Sequence, residues 1–286
     1  MIPAAFDYVA PRTLQEAIAE LVNHGQEGKV LAGGHSLIPL MKLRLSTPSF
    51  LVDIGRIRDL NYIREEDGHI AIGALTTHHD IEFSEVIKRK LPVLSTAASL
   101  IGDPQVRNLG TIGGATAHAD PFGDFPAVLV ALDAEIKAVG SKGERTIAAR
   151  DFFVDTFTSA LQPDEIVREI RVATPAEGSK GTYLKFSRRS QDWAIVAVAA
   201  QVTLNGGNLA DVRVGLTGMG NTPVRGAGVE QALRGKRAEG DALRQASEKA
   251  ADGTQPTQDL NGSPDYRRHL AKVLTRRALE QLTTQQ

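Results

Sequence analysis

The sequence predicts an α+β protein, and three observations carry that prediction. Thr13 and Glu16 form a capping box ahead of Leu14, Ala17, Ile18, Leu21 and Val22 at helical spacing, and apolar runs on either side complete a β-α-β unit. The stretch Pro175-Ala176-Glu177-Gly178-Ser179-Lys180-Gly181 is the clearest linker. Beyond it, Asn205-Gly206-Gly207-Asn208 joins apolar runs as a hairpin turn, so the last third reads as antiparallel strands with helices.

In chain order, residues 1–10 are extended, 14–24 form the capped helix with Gly25 past its end, and Lys29-Val30-Leu31 is a buried strand. Met41 to Leu45 is one or two turns of helix, and Phe50 to Gly55 a second buried strand. Tyr62 to Glu65 and His69 to Gly73 flank a hairpin turn at Glu66-Asp67-Gly68. A helix starts at Thr77 or Asp80 and runs through Ile87, and another spans 92–101 from Pro92. Residues 115–126, with two prolines and no period, read as a long loop, and 127–139 as a helix turning into a strand. Ser141 to Arg145 is a hairpin tip. After the linker, Tyr183–Phe186, Ala194–Leu204 and Val212–Leu216 are strands, while 226–251 and 265–282 are helical.

The totals exclude several classes. With 42% hydrophobic and 23% charged residues the chain is ordinary globular material, and a net charge of −1 gives no electrostatic case for nucleic acid. Basic residues are not striped with aromatics, which points the same way. There is no cysteine, so neither a disulfide framework nor a thiolate-held iron–sulfur cluster belongs to this chain. No signal peptide and no membrane-length apolar run is legible, and a soluble cytoplasmic protein is the expectation.

Two glycine stretches stand out. Ala32-Gly33-Gly34-His35-Ser36 follows a strand, and Gly110-Thr111-Ile112-Gly113-Gly114-Ala115 lies well downstream. Glycine lets a ligand approach the main chain, and the free N–H groups of such a turn favour an anion. Neither stretch is G-x-G-x-x-G and neither is followed by Gly-Lys-Ser/Thr. Together they point to one phosphate-bearing ligand. His35 is either a donor to that ligand or a packing residue. His78, His79 and His118 do not stand at zinc spacing, so no metal site is expected. Asp120 and Asp124 either accept hydrogen bonds from a ligand or form turns. The tract from Lys185 to Trp193 holds the only tryptophan, in a polar turn, where it covers a ring or caps the core. No nucleophile elbow, triad or carboxylate pair is legible, and no catalytic residue is assigned.

Ala32 to Pro39, Thr111-Ile112-Gly113-Gly114 and the Lys185, Arg188, Asp192 tract together resemble the FAD-binding medium subunit of molybdenum hydroxylases, including aerobic carbon monoxide and xanthine dehydrogenases. The resemblance covers nearly the whole chain. It implies a vanillyl-alcohol-oxidase-type fold, with two α/β subdomains at 1–55 and 56–177 holding FAD and an α+β domain at 178–286 closing over it. It further implies that Ala32, Gly33, Gly34, His35, Ser36 and Leu37, with Thr111, Gly113, Gly114 and Ala115, surround the diphosphate, both motifs donating backbone N–H groups. Asp124 would stand near the ribose and adenine, Lys185 and Asp192 at the pyrimidine end of the isoalloxazine, Trp193 beside the ring and Ile101 against its other face. Two positions depart from the family pattern: Ala115 replaces a common asparagine, and Trp193 a tyrosine.

The function so implied is electron transfer from 2Fe–2S clusters on a small subunit, through FAD, to an external acceptor such as quinone, NAD or oxygen. A large subunit would carry the molybdenum cofactor, in a dimer of heterotrimers peripheral at the inner face of the membrane. The alternative is a stand-alone flavin oxidase or dehydrogenase of the same fold.

Overall fold

A computed structural model describes residues 2–284; Met1, Gln285 and Gln286, at the outer ends of the expected first and third parts, lie outside the described residues. The chain begins with β1 (Asp7–Val9), α1 (Leu14–His24), β2 (Gly28–Leu31), α2 (Leu37–Lys42) and β3 (Phe50–Asp53). The strands form a parallel sheet in the order β1-β3-β2, with Tyr8 opposite Leu51 and Val30 opposite Val52. The capping box is present in full: Glu16 N–H donates to Thr13 Oγ1 and Thr13 N–H to Glu16 Oε2, each at 3.2 Å. Ala17 and Leu21 on the inner face of α1 pack with Val52, Ile54, Ile57 and Leu60.

The middle of the chain comprises β4 (Ile63–Glu66), β5 (His69–Gly73), α3 (His78–Phe83), α4 (Glu85–Lys90), α5 (Pro92–Ser99), α6 (Pro104–Leu109), α7 (Ile112–His118), α8 (Asp124–Ala131), β6 (Glu135–Gly140), β7 (Gly143–Ala148), α9 (Ala149–Phe152), β8 (Phe153–Asp155), β9 (Thr158–Ser159) and β10 (Ile166–Ala173). Its five-stranded sheet, ordered β4-β5-β10-β6-β7, is antiparallel throughout, whereas the first sheet is parallel. The helix expected from Thr77 to Ile87 is two helices. Ser84 takes an extended backbone, ends α3 and caps α4 by accepting from Ile87 N–H at 3.3 Å. The α5 helix stops at Ser99, so Ile101 lies beyond its end. The long loop expected over 115–126 shrinks to residues 119–123, because α7 runs through His118 and α8 starts at Asp124 with Pro126 inside its first turn. Proline is tolerated there, and the apolar burial of Phe125 through Leu132 holds the helix.

The last part comprises β11 (Ser179–Phe186), β12 (Val196–Asn205), β13 (Asn208–Thr217), β14 (Val224–Arg225), α10 (Ala227–Leu233), α11 (Gly240–Ser247) and α12 (Pro264–Thr284). The strands form an antiparallel sheet in sequence order. The linker expected at 175–181 already joins this sheet from Ser179, and the helical stretch expected at 226–251 is interrupted around Gly235, whose φ is +76°. Strand β12 is buried on both faces, and its residues alternate between two cores. Ala197 and Ala199 face the core shared with α5 and α8, while Val196, Val198 and Val202 face the core shared with α10 and α12. The small residues let the helical layer lie close, and Gly215 carries this furthest: a Cβ there would sit 2.1 Å from the Ala127 carbonyl oxygen of α8. Helices α5 and α8 thus lie between the second and third sheets. Among the described residues no helix is long and apolar enough to cross a membrane.

Candidate functional site

The first glycine stretch leaves β2 and enters α2. Gly34 takes φ +76°, and α2 begins at Leu37, four residues before the expected Met41, with Pro39 in its first turn. Among the described residues none accepts a hydrogen bond from the backbone N–H of Gly33, Gly34, His35, Ser36 or Leu37, although Gly34 and Ser36 carbonyls accept from Ile38 and Leu40. Five consecutive unpaired donors at a strand-to-helix turn suit an anion. His35 is exposed at this turn.

The second stretch behaves differently. Its N–H groups are already committed: Ile112 to Thr76 O at 3.0 Å, Gly113 to Ala74 O at 2.9 Å, Gly114 to Thr111 Oγ1 at 3.1 Å and Ala115 to Thr111 O at 3.0 Å. It is the capped start of α7 rather than an open turn, and these N–H groups have partners within the chain. The smallness of Gly113 serves packing, whereas Gly114 has room around it apart from its own capping side chain. A Cβ on Gly113 would sit 2.5 Å from Ala74 Cβ, and one on Gly114 would meet Thr111 Oγ1 at 2.9 Å and Ala32 Cβ at 3.8 Å. The two stretches do meet, because a Cβ on Gly33 would lie 2.1 Å from Leu109 O and 2.8 Å from Gly110 Cα.

Asp124 and Lys185, expected at opposite ends of a long cofactor, are an ion pair. Asp124 Oδ2 accepts from Lys185 Nζ at 2.9 Å and Oδ1 from Tyr183 Oη at 2.7 Å, and Lys185 Nζ also donates to Leu100 O at 3.2 Å. Burial pushes the Asp124 carboxyl up from the usual carboxylate range, against the opposing pull of Lys185 and Tyr183. Two residues in contact cannot serve both the adenine and the pyrimidine end of an extended FAD. Their geometry instead ties α8 to β11 and anchors the carbonyl that precedes Ile101. Arg107 Nη1 adds a second anchor, donating to Ile101 O at 2.7 Å.

The turn bearing Asp192 and Trp193 rests on Gly102, where a Cβ would lie 2.6 Å from Gln191 Cα. Asp192 is 3.9 Å from Arg188, and the Trp193 side chain is 61% exposed. The buried Arg267 of α12 holds the end of this turn: it donates to Ile195 O, pairs with Asp259 at 2.7 Å and lies over the Phe122 ring at 5.2 Å. Asp120 forms a turn, accepting from Phe122 N–H at 2.9 Å.

No local sequence signal marks Tyr183, Arg107, Arg267 or Gly102 as site residues, and His78 stands out in the sequence only beside His79. The rings of His78, His79 and His118 turn to three different phenylalanines, Phe125, Phe83 and Phe157, and no group of three or more His, Cys, Asp or Glu among the described residues could hold a metal ion.

The unpaired donors of 33–37, on a glycine backbone that a Cβ would fill, fit the diphosphate of FAD. The chain matches the family described as the FAD binding domain in molybdopterin dehydrogenase over residues 4–175, and the CO dehydrogenase flavoprotein C-terminal domain over 181–282. It belongs to the FAD-binding medium subunits of molybdenum hydroxylases, oxidoreductase subunits whose cofactor is FAD. Within that family it is 41% identical to the carbon monoxide dehydrogenase medium chain of Hydrogenophaga pseudoflava over 98% of this chain and 97% of that one. It is 39% identical to the glyceraldehyde dehydrogenase medium chain of Sulfolobus acidocaldarius, covering 99% and 100%. Its fold superposes on reconstituted CO dehydrogenase from Oligotropha carboxidovorans with a TM-score of 0.97 at 40% identity over 100% of both chains. Quinoline 2-oxidoreductase from Pseudomonas putida 86 gives 0.94 at 31% identity over 99% of both.

Proposed function

We propose that this chain is the electron-transfer subunit of a carbon monoxide dehydrogenase-like complex, receiving electrons from 2Fe–2S clusters of a small partner subunit and passing them through FAD to an external acceptor such as a quinone. A large molybdenum-cofactor subunit completes each heterotrimer, and two heterotrimers pair, in the cytoplasm. Bound FAD supplies a carrier that takes electrons one at a time and releases them singly or in pairs. In this reading residues 1–55 and 56–177 are the two FAD-binding subdomains and 178–286 the closing domain. The N–H groups of Gly33 to Leu37 hold the diphosphate, and Ala32, Thr111, Gly113, Gly114 and Ala115 buttress them. Ile101 and Trp193 stand on either side of the ring, with Asp192 at its edge. Asp124 and Lys185 act indirectly, by fixing Leu100 and hence Ile101.

The observation that carries the reading is the run of five unpaired backbone donors at 33–37, in a chain without cysteine. Isolation of the native protein tests it. Copurification with a large molybdenum-containing and a small iron–sulfur subunit is the expected result. A lone flavoprotein that oxidises an organic donor by itself would overturn it.

A further inference from the structure

His78 is the first residue of α3 and is 6% exposed. Its Nδ1 is fully buried without a partner. The ring is held in place. Its backbone N–H donates to Gly110 O at 2.9 Å, its edge meets Phe125 with centroids 5.0 Å apart, and a Cβ on Gly110 would lie 2.6 Å from its Nε2. Gly110 is the residue whose Cα rests against Gly33. His78 Nε2 therefore lies one glycine away from the unpaired donors at 33–37, at the seam of the two glycine stretches.

Burial, with His35 and Arg107 nearby, pushes the imidazole down to about 3, so at neutral pH it is uncharged and holds one proton. A buried N–H with no acceptor costs more than a buried lone pair with no donor, which places that proton on Nε2 rather than on the enclosed Nδ1. Nε2, on the Gly110 side of the ring, is not among the fully buried unpartnered atoms, so it is the ring nitrogen that a ligand at the seam can reach.

We propose that His78 is a further diphosphate-binding residue, donating from Nε2 to an oxygen of FAD. The inference rests on reading the 33–37 turn as the diphosphate site.

The deflavinated full chain, titrated with FAD, ADP and riboflavin, tests it. ADP carries the diphosphate without the flavin ring, and riboflavin the ring without the diphosphate. His78→Phe should weaken FAD and ADP by about tenfold or more and leave riboflavin unchanged. His78→Gln, which keeps an N–H on an uncharged side chain, should retain most of the FAD affinity. Parental affinities in His78→Phe, or equal losses for all three ligands, would make His78 a packing residue and overturn the proposal. Should His78→Phe not fold, the parental chain decides by nitrogen-15 spectra of its histidines. The His78 Nε2–H should shift and become protected from exchange with ADP but not with riboflavin, and no change with ADP would overturn the assignment. A parental chain that binds neither FAD nor ADP would instead refute the reading of the 33–37 turn.

Discussion

Lys185 Nζ lies between Asp124 Oδ2 at 2.9 Å and the Leu100 carbonyl at 3.2 Å, so one ammonium group joins β11 to α8 and to the segment that presents Ile101. Both side chains of the pair are almost fully buried, at 5% and 4% exposure. A pair of this kind is costly to break from one side, because the survivor stays charged away from water. Lys185→Met should cost about 3–5 kcal/mol in urea unfolding, and adding Asp124→Asn should restore much of it. A single variant as stable as the parent would show that the pair does not fasten α8 to β11.

Gly33 has no positive φ, so its substitution reports contact alone. The Cβ of Gly33→Ala would sit 2.1 Å from Leu109 O, which is backbone and cannot swing aside. The 32–36 turn must lift off the 109–110 segment, at a cost of about 1–3 kcal/mol. FAD affinity, measured by fluorescence titration, is expected to fall about tenfold or more. Unchanged affinity would mean that contact between the two stretches is not needed for the cofactor.

Trp193 is the only tryptophan in the chain, and it is exposed. Tryptophan emission from the deflavinated protein therefore reports one site. FAD should quench it strongly as the flavin ring arrives, whereas ADP should not. Emission that is indifferent to saturating FAD would put the 187–193 turn away from the ring.

The folded-state value of about 3 for His78 lies below its ordinary 6.5. The unfolded chain therefore binds a proton that the folded chain refuses. The resulting stability is complete above about pH 6.5 and is lost as pH falls toward about 3, with a slope of at most about 1.4 kcal/mol per pH unit. Between roughly pH 7 and 5.5, where carboxylates stay ionised, the deflavinated chain should lose about 1 kcal/mol. His78→Phe should lose less over the same interval, with a remainder from His118, whose imidazole burial also pushes down, and parallel profiles for the two proteins would assign the loss to other groups.

What the sequence disclosed follows from where the determining forces act. Thr13 with Glu16, the Glu66-Asp67-Gly68 turn and Asn205 to Asn208 are local signals, and α1, β4–β5 and β12–β13 form where those signals stand. The start of α7 was read as an open glycine turn because Gly113 and Gly114 are poor helix formers. For Gly113 the reason is tertiary: it packs on Ala74, from a segment nearly forty positions away. Strand β10 went unassigned although Ile166 to Ala173 lies between β5 and β6 in the sheet, because its partners are remote in sequence. The turn at 32–36, with Gly34 at φ +76°, is legible from glycine chemistry. The Asp124–Lys185 pairing is not, since 61 positions separate the two and no local pattern links them.

The close approach of Gly33 to Leu109 and Gly110 joins two sheets of different construction, one parallel and one antiparallel. The parallel sheet keeps its own small core, with Ala17, Leu21 and Val52 at its centre. A ligand seated on the donors of 33–37 is sensitive to whether that sheet is docked, and by mass action it stabilises the docked form over any in which the seam has opened. Under the proposed function, flavin occupancy and the docking of the N-terminal sheet are then two readings of one equilibrium. Loss of the cofactor would register first as faster amide exchange along β1, β2 and α1, ahead of any change in the C-terminal sheet.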